Sequence, residues 1–139
     1  MNAKEYLSQV RSAETHIRSL TEQIEHYRDL ATKCTQALSA TPATSSFKQS
    51  KIETYAAAIA DLQKELQREI KEYADTVKDV TKSIELVDKK EWADMLTYRY
   101  VNGWTWERIA NAMNCDLRTI YRWHGYALLQ ISPKTEKAP

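Results

Sequence analysis

The chain has 139 residues, 42% hydrophobic and 28% charged, a length that suits one compact domain or a small domain carried on an elongated helical arm. With 2 glycines and 3 prolines it is too poor in turn-formers for a protein of many short strands, and long helices are favoured. A net charge of +1 excludes both a basic flood and an acidic tail, so any contact with nucleic acid must come from a few placed residues.

The N-terminus, MNAKEYLSQVRSAETH, is charged from its first turn and contains no apolar leader. No run in the chain approaches the roughly 20 apolar residues that span a bilayer, so neither secretion nor membrane insertion is expected. Asn2 with Glu5 forms a capping box for a first helix. From Tyr6 onward, apolar residues fall at Val10, Ala13, Ile17, Leu20, Ile24, Tyr27, Ala31, Cys34 and Leu38, in steps alternating four and three, which is a heptad repeat. Residues 39 to 50 break it with Pro42 and a Ser/Thr cluster, and read as a loop.

Ser50 with Glu53 supplies a second capping box, ahead of a stripe of Ile52, Tyr55, Ile59, Leu62, Leu66, Ile70, Tyr73, Val77, Val80, Ile84 and Val87. Successive steps of four at Leu62, Leu66 and Ile70 make a stutter. Two helices of roughly 37 residues each, joined by a short connection, predict an antiparallel, coiled-coil-like hairpin over residues 1 to 87. Its narrow seam leaves Leu7, Leu30 and Ala56 to Ala58 partly covered, so a second copy of the chain is the expected cover. The oligomerisation seam then comprises Val10, Ile17, Leu20, Ile24, Leu62, Leu66, Ile70 and Val77, and a homodimer is expected; a purely intramolecular core is the plainer alternative.

After Val87 the period changes. Asp88 with Glu91 gives a third capping box for a short helix with Trp92, Met95, Leu96 and Tyr100 on its inner face, which Gly103 can end through a left-handed cap. Thr105 and Asp116 are N-caps eleven residues apart, with Trp104 able to staple onto Ile109 and Cys115 onto Ile120. A helix-turn-helix needs a small residue where its helices cross, a turn residue that tolerates positive φ, and an apolar inner face on its second helix. Ala110, Asn114, and Ile120 with Trp123 stand at those positions; Ile109, Met113, Ala127 and Leu128 complete the core of a head spanning 88 to 131, and 132 to 139 read as a disordered tail. The fold expected is therefore all-α.

On the second helix, expected from Leu117 to Ile131, Leu117, Arg118, Thr119, Tyr121, Arg122 and His124 do not face inward. Arg118, Thr119 and Arg122 are the candidates for base contact, since arginine pairs bidentately with guanine and threonine can touch a thymine methyl. Tyr121, Arg108 and the amides that follow Thr105 and Asp116 are the candidates for phosphate contact. Residues 103 to 131 carry three arginines against Glu107 and Asp116, so one copy should bind weakly, and a two-fold pair would offer two reading helices about 34 Å apart.

Other chemistry is sparse. Trp92, Trp104, Trp106 and Trp123 read as head core, with Trp106 the exception that could face a ligand. Cys34 and Cys115 lack CxxC or His-pair spacing and read as free thiols of a reducing cytoplasm, while His16, His26 and His124 have no mutual metal spacing and His124 reads as solvated, so no metal or cofactor is expected. No nucleophile with a paired base and no Gly-rich phosphate loop is visible, which argues against an enzyme.

The segment Thr105 to Ile131 resembles region 4 of bacterial sigma factors, on the run Thr105-Trp106-Glu107-Arg108-Ile109-Ala110, then Thr119-Ile120-Tyr121-Arg122-Trp123, then Ala127-Leu128. In that family the positions matching Leu117, Arg118, Tyr121 and Arg122 touch promoter DNA; Leu117 and Tyr121 stand where the family commonly has arginine, so its promoter preference does not carry over. Over nearly its full length the chain is similar to small regulators of phages and prophages of Gram-positive bacteria, on AKEYL at the start, paired helices around a Ser/Thr-rich loop, RYVNGWTWERIA and YRWHGYAL. That resemblance implies a bacterial host cytoplasm and activation of phage late genes for packaging and morphogenesis, with host RNA polymerase as a possible contact. Two rivals are a terminase small subunit, which also joins a helix-turn-helix to an oligomerising arm, and an interaction module that grips polymerase without meeting DNA.

Overall fold

The computed structural model describes residues 1–40 and 45–132, with side chains over 1–37 and 46–132, and within them the fold is all-helical. Helix α1 runs Ala3–Ala40 and α2 Ser45–Glu85. The short α3, Lys90–Leu96, continues into a π-helical turn over Thr97–Val101; α4, Trp106–Ala112, and α5, Leu117–Leu129, follow. None of the helices described is long and apolar enough to cross a membrane. The tail expected from 132 lies, from 133 on, outside the described residues.

The first capping box forms as the sequence dictates: Glu5 N donates to Asn2 Oδ1 at 2.8 Å and Asn2 N donates back to Glu5 Oε2 at 3.3 Å. The second does not. Helix α2 already starts at Ser45, so the loop is shorter than residues 39 to 50, and Ser50 is interior helix whose carbonyl accepts from Thr54 Oγ1 at 3.0 Å. Threonines that look like loop-formers are accommodated by such i−4 bonds, as Thr21, Thr32 and Thr35 are in α1.

Two compact units divide the chain, and the boundary is not the one expected at Val87/Asp88. One unit is 15 to 72, a pair of antiparallel helical segments. In it Tyr27 and Tyr55 meet at 6.0 Å, and His16 Nε2 lies 3.6 and 3.8 Å from the carboxylates of Glu65 and Glu69. Leu20 and Ile24 are buried there at 2% and 5% exposure, with Ile17, Leu62 and Leu66 half-buried. Ile70 departs from the expected seam and is 47% exposed. The stutter explains it: two consecutive steps of four advance the stripe about 80° around a helix of 3.6 residues per turn, which carries Ile70 off the face that Leu62 occupies.

The other unit joins Met1–Glu14 to everything described from Tyr73 on. Its core combines Tyr6, Leu7 and Val10 of α1, Val80 and Ile84 of α2, Val87, Met95, Leu96 and Tyr100 from the middle, and Ile109, Ala110, Ile120, Ala127 and Ile131 from the helix-turn-helix. Leu7, expected as an uncovered flank, has 0% exposure, and Val10 and Val77, expected in an oligomerisation seam, pack with this core instead. Tyr6 and Tyr73 add polar ties, to Ser83 Oγ at 3.2 Å and Glu14 Oε1 at 2.9 Å.

The third capping box is also replaced. Lys89, not Asp88, is the N-cap of α3 and, with only donors on its ammonium, makes no side-chain cap bond, while the Asp88 amide donates to Gln130 Oε1 at 2.8 Å and so fastens the turn after α2 to the end of α5. Burial of Val87 at 6% exposure draws that turn inward.

Leu7→Ala removes a fully buried side chain from this core and should cost about 2–5 kcal/mol. Denaturant melts followed by tryptophan fluorescence, all four tryptophans lying beyond residue 90, should show the head losing stability together with α1; a head transition that does not move would contradict the shared core.

Candidate nucleic-acid interface

Local rules acting over three residues build the helix-turn-helix. Thr105 accepts from Arg108 N at 3.1 Å to start α4, and Asp116 Oδ1 accepts from Thr119 N at 2.8 Å to start α5. Between the helices Asn114 takes φ 54°, the left-handed conformation expected of the turn, and before them Gly103 takes φ 76°. Ala110 at 5% and Ile109 and Ile120 at 0% exposure close the crossing, Ala127 is buried, and Met113, Trp123 and Leu128 pack half-buried against the same core. Helix α5 ends at Leu129 rather than Ile131, which is nevertheless buried.

Outward from that core, Arg118 and Arg122 are exposed on α5, and Tyr121 between them is 50% exposed. Gly125, one turn further along the strip, has open space where a side chain would stand. Thr119 is half-buried and Leu117 packs on the core, so the exposed strip is narrower than the six residues expected to face out. The Asp116 carboxyl is held below its usual range, chiefly by the hydrogen bonds from Thr119, with the charges of Arg118 and Arg122 adding to it. An ionised cap cannot itself meet a phosphate, so any phosphate contact at this end falls to the amides that follow it.

Aromatic rings orient two further arginines. The Arg108 guanidinium lies 3.9 Å over Trp104, which in turn stacks on Tyr98 at 4.2 Å and 3°. Arg99, which no local pattern singles out, lies 4.5 Å over Trp106 and donates to the Trp104 carbonyl at 3.0 Å. The π-helical turn places it: the Asn102 amide donates to the Thr97 carbonyl at 2.9 Å, and the wider turn keeps Tyr100 in the core at 6% exposure. A guanidinium laid flat on an indole keeps its N–H edges available for a planar anion while losing little freedom on binding. The four tryptophans are thus half-buried flanks of the core rather than its centre.

His124, expected to be solvated, is half-buried. Its ring sits 4.7 Å from Trp106 and 5.8 Å from Tyr100, whose hydroxyl shares a 2.6 Å hydrogen bond with His124 Nε2. Burial, reinforced by the positive charges of Lys4 and Arg99, lowers its pKa to about 4, and burial raises that of the Tyr100 phenol. Trp106 also meets Tyr121 edge-on at 5.7 Å, so this cluster links the start of α4 to the exposed strip of α5.

Compared with known proteins, the chain matches no family model, no curated protein and no solved structure.

The neutral imidazole has a consequence for stability. Above pH 6.5 His124 is neutral folded or unfolded and contributes no pH dependence; as pH falls from 6.5 toward about 4 the unfolded chain takes up the proton first, and stability declines. An NMR titration should give His124 a midpoint near 4, and His124→Gln should flatten that part of the stability profile. A midpoint at the ordinary value would contradict the packing described.

Proposed function

We propose that this chain is a sequence-specific DNA-binding regulator of transcription that reads the major groove with the outer face of α5. The observation that supports it is the pair of consecutive N-capped helices crossing at Ala110 about a left-handed Asn114, with Arg118 and Arg122 exposed on the second helix. A helix-turn-helix presents the N-terminal turns of its second helix to base edges while the first helix crosses the backbone. Arg118 and Arg122 are then the residues that read bases, Thr119 contributing only what a half-buried residue can reach. Tyr121, Arg108 and the amides after Thr105 and Asp116 fix the register on phosphates.

Pairing of two copies belongs to the same proposal. A reading head with a net charge near zero gains affinity when a second head is linked to it. In unit 15 to 72 Phe47 and Ile70 are exposed, at 64% and 47%, as two separate apolar positions along α2. Activation of phage late genes, and contact with a bacterial RNA polymerase, follow from the resemblance to sigma region 4 and to prophage regulators, not from the geometry.

Selection of bound duplexes from a random pool, followed by mobility-shift titration, tests the reading. The wild type should enrich a defined sequence, and Arg118→Ala with Arg122→Ala should remove roughly 1–3 kcal/mol of discrimination per arginine while leaving the fold intact. Unchanged selectivity in the double variant would remove α5 as the reader.

A further inference from the structure

Beside the start of α4, the unit that holds the helix-turn-helix contains a cavity of about 480 Å³. Three cations line it: Lys4 and Arg11 from α1, and Arg99 from the π-helical turn. Hydroxyls of Ser8, Ser12 and Thr105 lie among them, and none of the lining residues is acidic. Lys4, Ser8 and Arg11 share one face of α1 by their spacing of four and three.

The arginines are positioned before any ligand arrives. Arg99 is fixed between the Trp106 face and the Trp104 carbonyl, and that carbonyl occupies one of the five donors a guanidinium offers. Arg11 lies directly against Gly103, where a Cβ would overlap its guanidinium, so the missing side chain at 103 makes the space that Arg11 occupies. Lys4 and Arg99 both disfavour a proton on His124, in keeping with their place in the same cleft. Concave, and lined by three cations and three hydroxyls with no acidic residue among the lining residues, such a cleft suits a tetrahedral oxyanion.

We propose that this cleft is a phosphate clamp, holding a backbone phosphate of the DNA strand that flanks the groove entered by α5. The inference rests on the DNA-reading role of α5 and extends it: the first turns of α1 are then part of the DNA-binding surface, not only of a structural arm. Continuity supports the assignment, because Trp106 lines the cleft and its ring meets Tyr121 on the exposed strip of α5. Charge supports it as well. The three cations supply what residues 103 to 131, with three arginines against two acids, lack on their own. A clamp of this kind is blind to sequence and sets register and affinity.

Fluorescence anisotropy of the full chain with a duplex of about 20 base pairs, long enough for one helix-turn-helix site on either side of a helical turn, tests it across a salt series. Lys4→Glu is the first variant: Lys4 is exposed, and a carboxylate in the first turn of a helix complements its dipole, so folding is retained. Affinity should fall about tenfold or more for selected and arbitrary duplexes alike, and the slope of log K against log salt should become shallower by about one. Lys4→Gln, which removes the charge without reversing it, should give the same change of slope with a smaller loss. If neither variant alters affinity or slope while Arg118→Ala with Arg122→Ala still abolishes selectivity, the clamp is wrong and the α5 reading stands. A loss confined to one sequence would also overturn it, and a wild-type chain that binds no duplex at low salt would overturn both.

Discussion

Burial of Leu7 and Val10 of α1 in one core cluster with Ile109 and Ile120, more than 95 positions away by their numbering, is the constraint on which the rest of this structure depends. Helices α4 and α5 have 7 and 13 residues, shorter than or at the limit of what forms a helix in isolation, so their persistence comes from packing. The first turns of α1 and the last turns of α2 supply that packing. A helix-turn-helix is usually pictured as a module at the end of a tether; here the tether's own ends supply Tyr6, Leu7, Val10, Val80 and Ile84, about a third of the buried core.

That arrangement governs where charge can be presented. Two left-handed residues, Gly103 and Asn114, bracket α4, and the caps Thr105 and Asp116 follow them by two residues each. With the backbone directions set, arginines outside the core are oriented by aromatic faces: Arg108 on Trp104, Arg99 on Trp106. A chain of net charge +1 thereby brings Lys4, Arg11 and Arg99 to one cleft without becoming basic overall.

Features decided by neighbours three or four residues away were legible in the sequence. The Asn2–Glu5 box, both caps of the helix-turn-helix, the left-handed Asn114 and Gly103, and the buried Ile109, Ala110 and Ile120 each follow from local hydrogen bonding or helical period. Two signals of the same form misled. Ser50 and Glu53 lie inside a helix because nothing ends it there, and the Asp88 amide has a tertiary partner in Gln130. Heptad spacing could not tell a seam that another chain covers from a face that the chain's own C-terminus covers, which is why Leu7, Val10 and Val77 were expected elsewhere. Arg99 and His124 owe their placement to a π-helical turn and to Trp106, and no local pattern announces either.

Contact between DNA and the outer face of α5, as proposed, is best tested by amide shift mapping by NMR during titration with the selected duplex. The largest shifts are expected at residues 117 to 122 and at the amides following Thr105, with those of residues 20 to 37 and 52 to 66 unmoved. Shifts confined to the paired segments of α1 and α2, with α5 silent, would contradict it.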